Sequence, residues 1–320
     1  PEKKITNAIQ VVGTNGKYSF CSALKEIFET AGYTVNLNTS PSLRKFNERY
    51  YLSGKYIAND RLSELLIEVE KINQKKNITF HEFICACFFL EASRIKSDVN
   101  ILESGLFFRL DASNVLEKNI CSIVMPIGMD HKDFLKEGTI DEIVYEKCSH
   151  LLNKSKIIVS TQENNILKKI KKTIVNNSSQ KIFFGEHYNY KKKGKSFFYE
   201  DYLGSMDLPL PNLAGDFQLD NVATAIATSR NLSKFNIKES HIKKAITKIK
   251  SEGRLQSINK GKLRKYVSKD NQILIDGAHN TLAAHELIKY LKNLDSKRKI
   301  IMVLGMMANK EHKEFINIFK

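Results

Sequence analysis

The sequence predicts an α/β protein in which a mostly parallel sheet is wrapped by helices and followed by a smaller α/β unit. Three observations lead there. Short apolar runs alternate with helical patterns along most of the chain, as parallel strands joined by crossover helices require. The first run breaks at VVGTNGKYSF (Val11–Phe20) into a Gly-rich turn with a lysine and then opens a helix. Beyond Ser251 the alternation of strand and helix begins afresh.

Ile9–Val12 reads as the first strand and Phe20–Ala31 as the helix after its turn. Asp60–Ile72 and Phe80–Ser93 have helical periodicity, with Asp60 expected as an N-cap. Val99–Glu103 and Ile120–Ile127 read as strands, Ile140–Leu152 as a helix, Lys156–Ser160 and Ile182–Phe184 as strands, and Asn221–Leu232 as a helix. Lys191–Lys195 lies in a polar turn between aromatic strand-like segments, a solvated hairpin tip. Past the helix ESHIKKAITKIK come SEGRLQ, a strand at Ile273–Ile275, the turn DGAHN, an amphipathic helix to about Leu294 and a strand at Lys299–Leu304. The chain therefore divides into 1–250 and 251–320, and the second unit reads as cut short at Lys320. The Gly-rich turn, Glu103 and His131 follow three separate strands, at the carboxyl ends where open α/β sheets bind ligands.

Composition narrows the function. The 320 residues, 42% of them hydrophobic, suffice for two cores. No run approaches the roughly 18 apolar residues of a membrane span, and PEKKITN lacks the apolar core of a signal peptide, so a cytoplasmic protein without a membrane partner is expected. Five cysteines, at 21, 85, 87, 121 and 148, show no paired metal spacing and are expected as reduced, buried thiols. HEFIC at His81–Cys85 falls short of the zinc pattern H-E-x-x-H, because Cys85 stands where the second His belongs. The net charge of +16 invites a nucleic-acid reading, but the lysines are spread over helices and loops, and such a surface suits small anions such as nucleotides.

The turn suits phosphate chemistry. Glycines let backbone N–H groups approach a polyphosphate, the helix N-terminus adds partial positive charge, and Lys17 can reach the β- and γ-phosphates. Against the general pattern G-x-x-x-x-G-K-[ST], however, only Gly16 and Lys17 fit, since Val11 and Tyr18 occupy the other two positions. A plain strand–turn–helix competes with the phosphate reading on these residues alone.

Eight motifs in order resemble the folylpolyglutamate synthase/dihydrofolate synthase family of the Mur-ligase superfamily. They are GTNGK with Ser19, Thr39-Ser40-Pro41 with FNER, ESGLFFRLDASN (Glu103–Asn114), GMDH (Gly128–His131), EKCSH (Glu146–His150), GDFQLDN (Gly215–Asn221), GRLQ and DGAHN. The resemblance implies a P-loop-type central domain and a Rossmann-like C-terminal ligase domain. It implies an enzyme, monomeric and acting without nucleic acid, that uses ATP to turn a dihydropteroate or reduced-folate carboxylate into an acyl phosphate, which the amine of L-glutamate attacks.

The same resemblance implies the roles. Gly13, Thr14, Asn15, Gly16, Lys17 and Ser19 would cradle the phosphates, Asn221 would face the adenine, and Arg254, Asp276 and His279 would close on the nucleotide. Ser40, Glu103 and His131 would hold up to two Mg²⁺ ions, and Lys147 would be carbamylated by CO₂. Lys17, Lys147, His131 and Arg254 would be catalytic, and Thr79, Asp111 and Ala112 would line the pterin pocket. Plainer readings compete: a strand-end carboxylate for Glu103, a capping role for His131 beside Asp133, a solvated Lys147, and a turn shaped by Asp276 and His279 with Asn280 as N-cap. Several residues depart from the family pattern. Tyr18 and Phe107-Phe108 replace glycines, Asn309 replaces an Asp before Lys310, and His81 takes an aromatic position associated with the pterin pocket. Alternatives are a cell-wall precursor ligase of the same superfamily and a nucleotide-binding protein without turnover.

Overall fold

Strand β1 (Ala8–Val12) is buried along its whole length, as a central parallel strand covered on both faces must be. The computed structural model describes residues 1–294 and 299–320. Around β1 stand β2 (Val35–Asn38), β3 (Tyr50–Leu52), β4 (Lys55–Tyr56), β5 (Val99–Glu103), β6 (Cys121–Val124), β7 (Lys156–Val159) and β8 (Gln180–Phe183), in the order β4-β3-β2-β5-β1-β6-β7-β8. All neighbours from β2 to β8 pair parallel, while β3 and β4 add a short antiparallel edge that no apolar run foreshadowed. Pairing of Val11 with Glu103 and of Val12 with Val124 brings the three strand ends side by side at a point where the strand order reverses.

Helices cover both faces. In α1 (Lys17–Thr30) the residues Phe20, Leu24, Ile27 and Phe28 recur at helical spacing and pack into one core with α6 (Phe217–Asn231) and α7 (Glu239–Ile246). The helices α2 (Asn59–Asn73) and α3 (Phe80–Ala92) build a second core, and α4 (Ile140–Cys148) with α5 (Asn164–Thr173) a third. The strands β9 (Tyr188–Lys193), β10 (Ser196–Asp201) and β11 (Gly204–Pro209) form a separate antiparallel meander whose first turn carries the expected lysine-rich tip. All five cysteines are buried and free. No described helix is long and apolar enough to cross a membrane.

Several expected boundaries move for local reasons. The strand expected over Ile120–Ile127 stops at Val124, ahead of Pro126, which has no N–H and whose carbonyl accepts Thr14 N (2.8 Å) and Asn15 N (3.2 Å). The first helix starts at Lys17, three residues early, because Gly16 takes φ +84° and turns the chain directly into it. Asp60 is not an N-cap. That position falls to Ala58, without a side-chain bond, and Asp60 lies in the first helical turn, where its charge still favours the positive end of the helix.

After 251 the structure is thinner. A two-residue antiparallel pair, β12 (Gln256–Ser257) with β13 (Leu274–Ile275), precedes α8 (Thr281–Lys292) and α9 (His312–Asn317). The strand expected at Lys299–Leu304 is not formed. A strand needs partners for its N–H and C=O groups, and this segment pairs with no other described strand, leaving Ile301 78% and Val303 94% exposed.

Candidate active site

A cavity of about 840 Å³ opens at the ends of β1, β5 and β6 and is roofed by residues after 251. Its floor is the turn between β1 and α1. Gly13 has φ +145°, and a Cβ there would stand 2.7 Å from Met125 Cβ, so only glycine lets the turn lie on the Met125-Pro126 backbone. Thr14 ties the turn to the next strand's loop by exchanging 3.1 Å hydrogen bonds with the Gly128 carbonyl and N–H. Lys17, in the first turn of α1, places Nζ 3.0 Å from Gly13 O and 3.2 Å from Thr14 O.

Glu103, the last residue of β5, is buried on the cavity wall, and its Oε2 accepts the Ser40 N–H at 2.8 Å. Burial pushes its carboxyl up, against the opposing pull of Lys17, the Ser40 N–H, Arg254 and Arg49. Among the described residues Oε1 has no hydrogen-bond partner, which leaves it able to ligate a cation. His131 lines the same cavity and takes the left-handed region, φ +56°. Burial lowers its pKa to about 4 despite Asp130, so the ring is neutral and keeps a lone pair at neutral pH. No three His, Cys, Asp or Glu side chains cluster as a closed metal site among the described residues. Glu103, Ser40 and His131 fit a Mg²⁺ that keeps waters and phosphate oxygens, which needs few protein ligands.

Lys147, near the end of α4, lies behind the turn rather than on the cavity wall. Its Nζ donates to Gly13 O (3.0 Å) and Leu106 O (2.7 Å), with the Phe107 ring 5.2 Å away. Burial, then repulsion from Lys17, lowers its pKa to about 7. Phe108 fills the third core, so neither aromatic replacement obstructs the cavity.

The roof comes from the last part of the chain. Arg254 lies over the Tyr18 ring, guanidinium carbon 5.8 Å from the centroid, and crosses Gly277. Asp276 lines the cavity, but both its oxygens shape the turn, Oδ2 accepting Leu255 N (2.7 Å) and Oδ1 Ala278 N (2.8 Å). Asn280 caps α8 and exchanges two 3.0 Å amide bonds with Asn15. Asp130 is the hub, with Lys310 Nζ at 2.6 Å, Asn280 Nδ2 at 3.1 Å and His279 Nε2 at 3.4 Å, and these contacts hold its carboxyl well below the usual range. On the opposite wall Asn221 donates to Gln218 at 2.9 Å, and Ser19 bonds Ser251 at 2.8 Å.

Three expected ligand residues lie off the wall. Thr79 caps α3 in a reciprocal box with Glu82, beside a separate shallow depression. Asp111 is closed beneath His81, and Ala112 packs against the second core. Sequence reasoning passed over Asp130 and Lys310, although GMDH and the Asn309 replacement each marked the place, and it noted His81 as a departure at an aromatic position without giving it a charge partner.

Residues 253–320 match the family model for the glutamate ligase domain of Mur ligases. Over 307 residues the chain is 32% identical to the dihydrofolate synthase/folylpolyglutamate synthase of Buchnera aphidicola subsp. Acyrthosiphon pisum, covering 94% of this chain and 69% of that one. The chain belongs to the folylpolyglutamate synthase/dihydrofolate synthase family. The bifunctional enzyme of Escherichia coli K12 is 29% identical over 308 residues, covering 94% of this chain and 67% of that one. A solved structure, E. coli FolC in complex with DHPP and ADP, superposes with a TM-score of 0.88 at 28% identity, covering 99% of this chain and 73% of that one. An FPGS-AMPPCP-folate complex gives 0.81 at 27% identity over 93% of this chain and 73% of that one. In this family frame the cavity between the Gly-rich turn and the glutamate ligase segment is the candidate active site.

Proposed function

We propose that this chain is an ATP-dependent ligase that joins L-glutamate to a pteroate or folate carboxylate. The observation that carries the reading is one cavity gathering Lys17, Glu103 and His131 from the sheet with Arg254 from beyond residue 251. A carboxylate oxygen of the substrate attacks the γ-phosphorus of ATP, the bond to the β-phosphate oxygen breaks, and ADP leaves an acyl phosphate. The glutamate amine then attacks the acyl carbon, loses a proton and expels phosphate as the amide forms. Such transfers need charge neutralisation and alignment rather than a protein nucleophile. Lys17 and the α1 N-terminus neutralise the phosphates from below, and Arg254, steadied on Tyr18, does so from above. Ser40, Glu103 and His131 hold Mg²⁺, which when bound draws charge off the phosphate oxygens. Asn221 faces the base, and His279 and Asp276 bring the roof onto the nucleotide.

We further assign residues 1–250 to the ATP-binding domain and 251–320 to the ligase domain, a division supported by the family match that starts at 253. Lys147 is assigned as a carbamylated residue. A pKa near 7 leaves much of the amine neutral, so its nitrogen can attack CO₂ and release a proton, and the resulting anion then has to turn away from the Gly13 and Leu106 carbonyls. A carbamate carbon signal from ¹³C-bicarbonate, lost in Lys147→Ala, is the expected result.

One assay tests the main reading, with dihydropteroate and tetrahydrofolate offered side by side with ATP, Mg²⁺ and glutamate. Release of ADP and phosphate is expected only when glutamate and at least one of the two are present. Release indifferent to both overturns it.

A further inference from the structure

The cavity wall beside Glu103 carries a side-chain pair that the reaction above leaves unused. His81, in the first turn of α3, lies on the backbone of Gly105, where a Cβ would stand 2.7 Å from its Nε2. That nitrogen is 3.3 Å from Asp111 Oδ2 and 3.7 Å from Cys85 Sγ. Asp111 offers nothing further. Its side chain is 3% exposed, Oδ1 accepts Ser113 N (2.8 Å) and Oγ (2.6 Å), and Oδ2 also accepts Gly105 N (3.0 Å). The His81 ring, by contrast, is 37% exposed and shares the wall with Phe80, Ile84 and Leu106. Its Nδ1 has no hydrogen-bond partner among the described residues. The hydrogen bond to Asp111 raises the His81 pKa to about 10, which makes the ring an imidazolium at neutral pH with a second N–H to give.

A wall of Phe80, Ile84 and Leu106 with a fixed cationic donor beside it matches a flat heteroaromatic ring that presents an acceptor atom. We propose that His81, not Asp111, is the specificity-determining group for the substrate's ring system in this chain, donating from Nδ1 to a carbonyl oxygen of that ring. The proposal rests on the carboxylate substrate being a pteroate or folate.

The test compares dihydropteroate with its 4-amino-4-deoxy analogue, in which an amino donor replaces the ring carbonyl. The chain as it stands is expected to favour the carbonyl form by about tenfold or more in kcat/KM, chiefly through KM, because the analogue sets donor against donor. His81→Phe is expected to bring the ratio within about twofold of unity. ADP affinity by calorimetry and a single cooperative melting transition show that the variant is folded. Should His81→Phe not fold, His81→Gln, a neutral donor, is expected to give an intermediate ratio. A ratio unchanged in either folded variant, or no preference in the parent chain, overturns the proposal while the ligase reading stands. A parent chain that turns over neither compound under any glutamate supply overturns the ligase reading and this inference with it.

Discussion

The floor and the roof of the cavity are held in different ways. On the floor the polar side chains are buried and bonded in place, Glu103 to the Ser40 N–H and the Lys147 amine, before carbamylation, to the Gly13 and Leu106 carbonyls, with three apolar cores behind them. The roof has little core of its own, since α8 buries only Ala284 and α9 only Phe315. It meets the floor largely through polar groups, the Asn15–Asn280 amide pair and the Asp130 cluster. Glu103 and Lys17 thus sit on elements backed by buried cores, where prearranged charges cost little reorganisation during phosphoryl transfer. The closing residues sit on a unit whose attachment changes at modest cost, as a cycle that admits and releases nucleotide requires.

The largest effects should come from the floor. Glu103→Gln keeps the shape of the side chain and removes its charge, so turnover is expected to fall on the order of a thousandfold while ADP affinity by calorimetry stays within about threefold. Unchanged turnover would remove Glu103 from metal binding and break the contrast. The roof attachment comes next. Asp130→Asn removes the partner of Lys310, a pair only 8% and 13% exposed, and kcat/KM is expected to drop by about a hundredfold. In a cycle with Lys310→Met the two losses should be strongly non-additive, whereas additive losses would mean that Asp130 acts on His131 alone.

Much of the floor was legible in the sequence because its signals are local. The run to Glu103 is five buried residues ending on a polar one, and the Val11–Phe20 turn needs glycine at Gly13 for a contact the strand itself creates. The helix at Phe80 was visible in its apolar residues and is capped by Thr79 with Glu82. That cap also engages the Thr79 hydroxyl, which the sequence motif does not reveal. The Asp111 motif is silent in a related way: it says that a carboxylate is present, not that a histidine 30 positions earlier in the chain covers it. The roof was least legible. Ile273–Ile275 and Lys299–Leu304 both have strand composition, but pairing depends on a neighbour, and a two-residue ribbon is all that forms. Tyr18 read as an anomaly because the partner that gives it a role, Arg254, is more than 200 residues away.

The contact between Tyr18 and Arg254 joins floor to roof and gives a smaller test. Tyr18→Leu keeps bulk but removes the ring face, and a cation–π contact at a partly exposed site is worth about 0.5–1 kcal/mol, so kcat/KM for ATP should fall about two- to fivefold. Tyr18→Gly should do the same or worse. A faster Tyr18→Gly enzyme would show that the ring hinders the roof instead of steadying it.

The smallest effect concerns stability and belongs to the floor alone. The folded His81 ring keeps its proton up to about pH 10, whereas in the unfolded chain it loses it near 6.5. The folded state therefore binds more protons across that window, so the pair's contribution is complete below about 6.5 and declines as pH rises towards 10. Calorimetric melting of the parent chain and His81→Phe should show the parent's advantage shrinking steadily between those limits. The Asp111 carboxyl, which His81 and Ser113 hold below its usual value, gives the opposite limb, with stabilisation present at neutral pH and lost on acidification. An advantage that does not vary between pH 6 and 10 would mean that the ring packs on Gly105 without sharing its charge with Asp111, and the floor would then hold one fewer prearranged ion than its geometry implies.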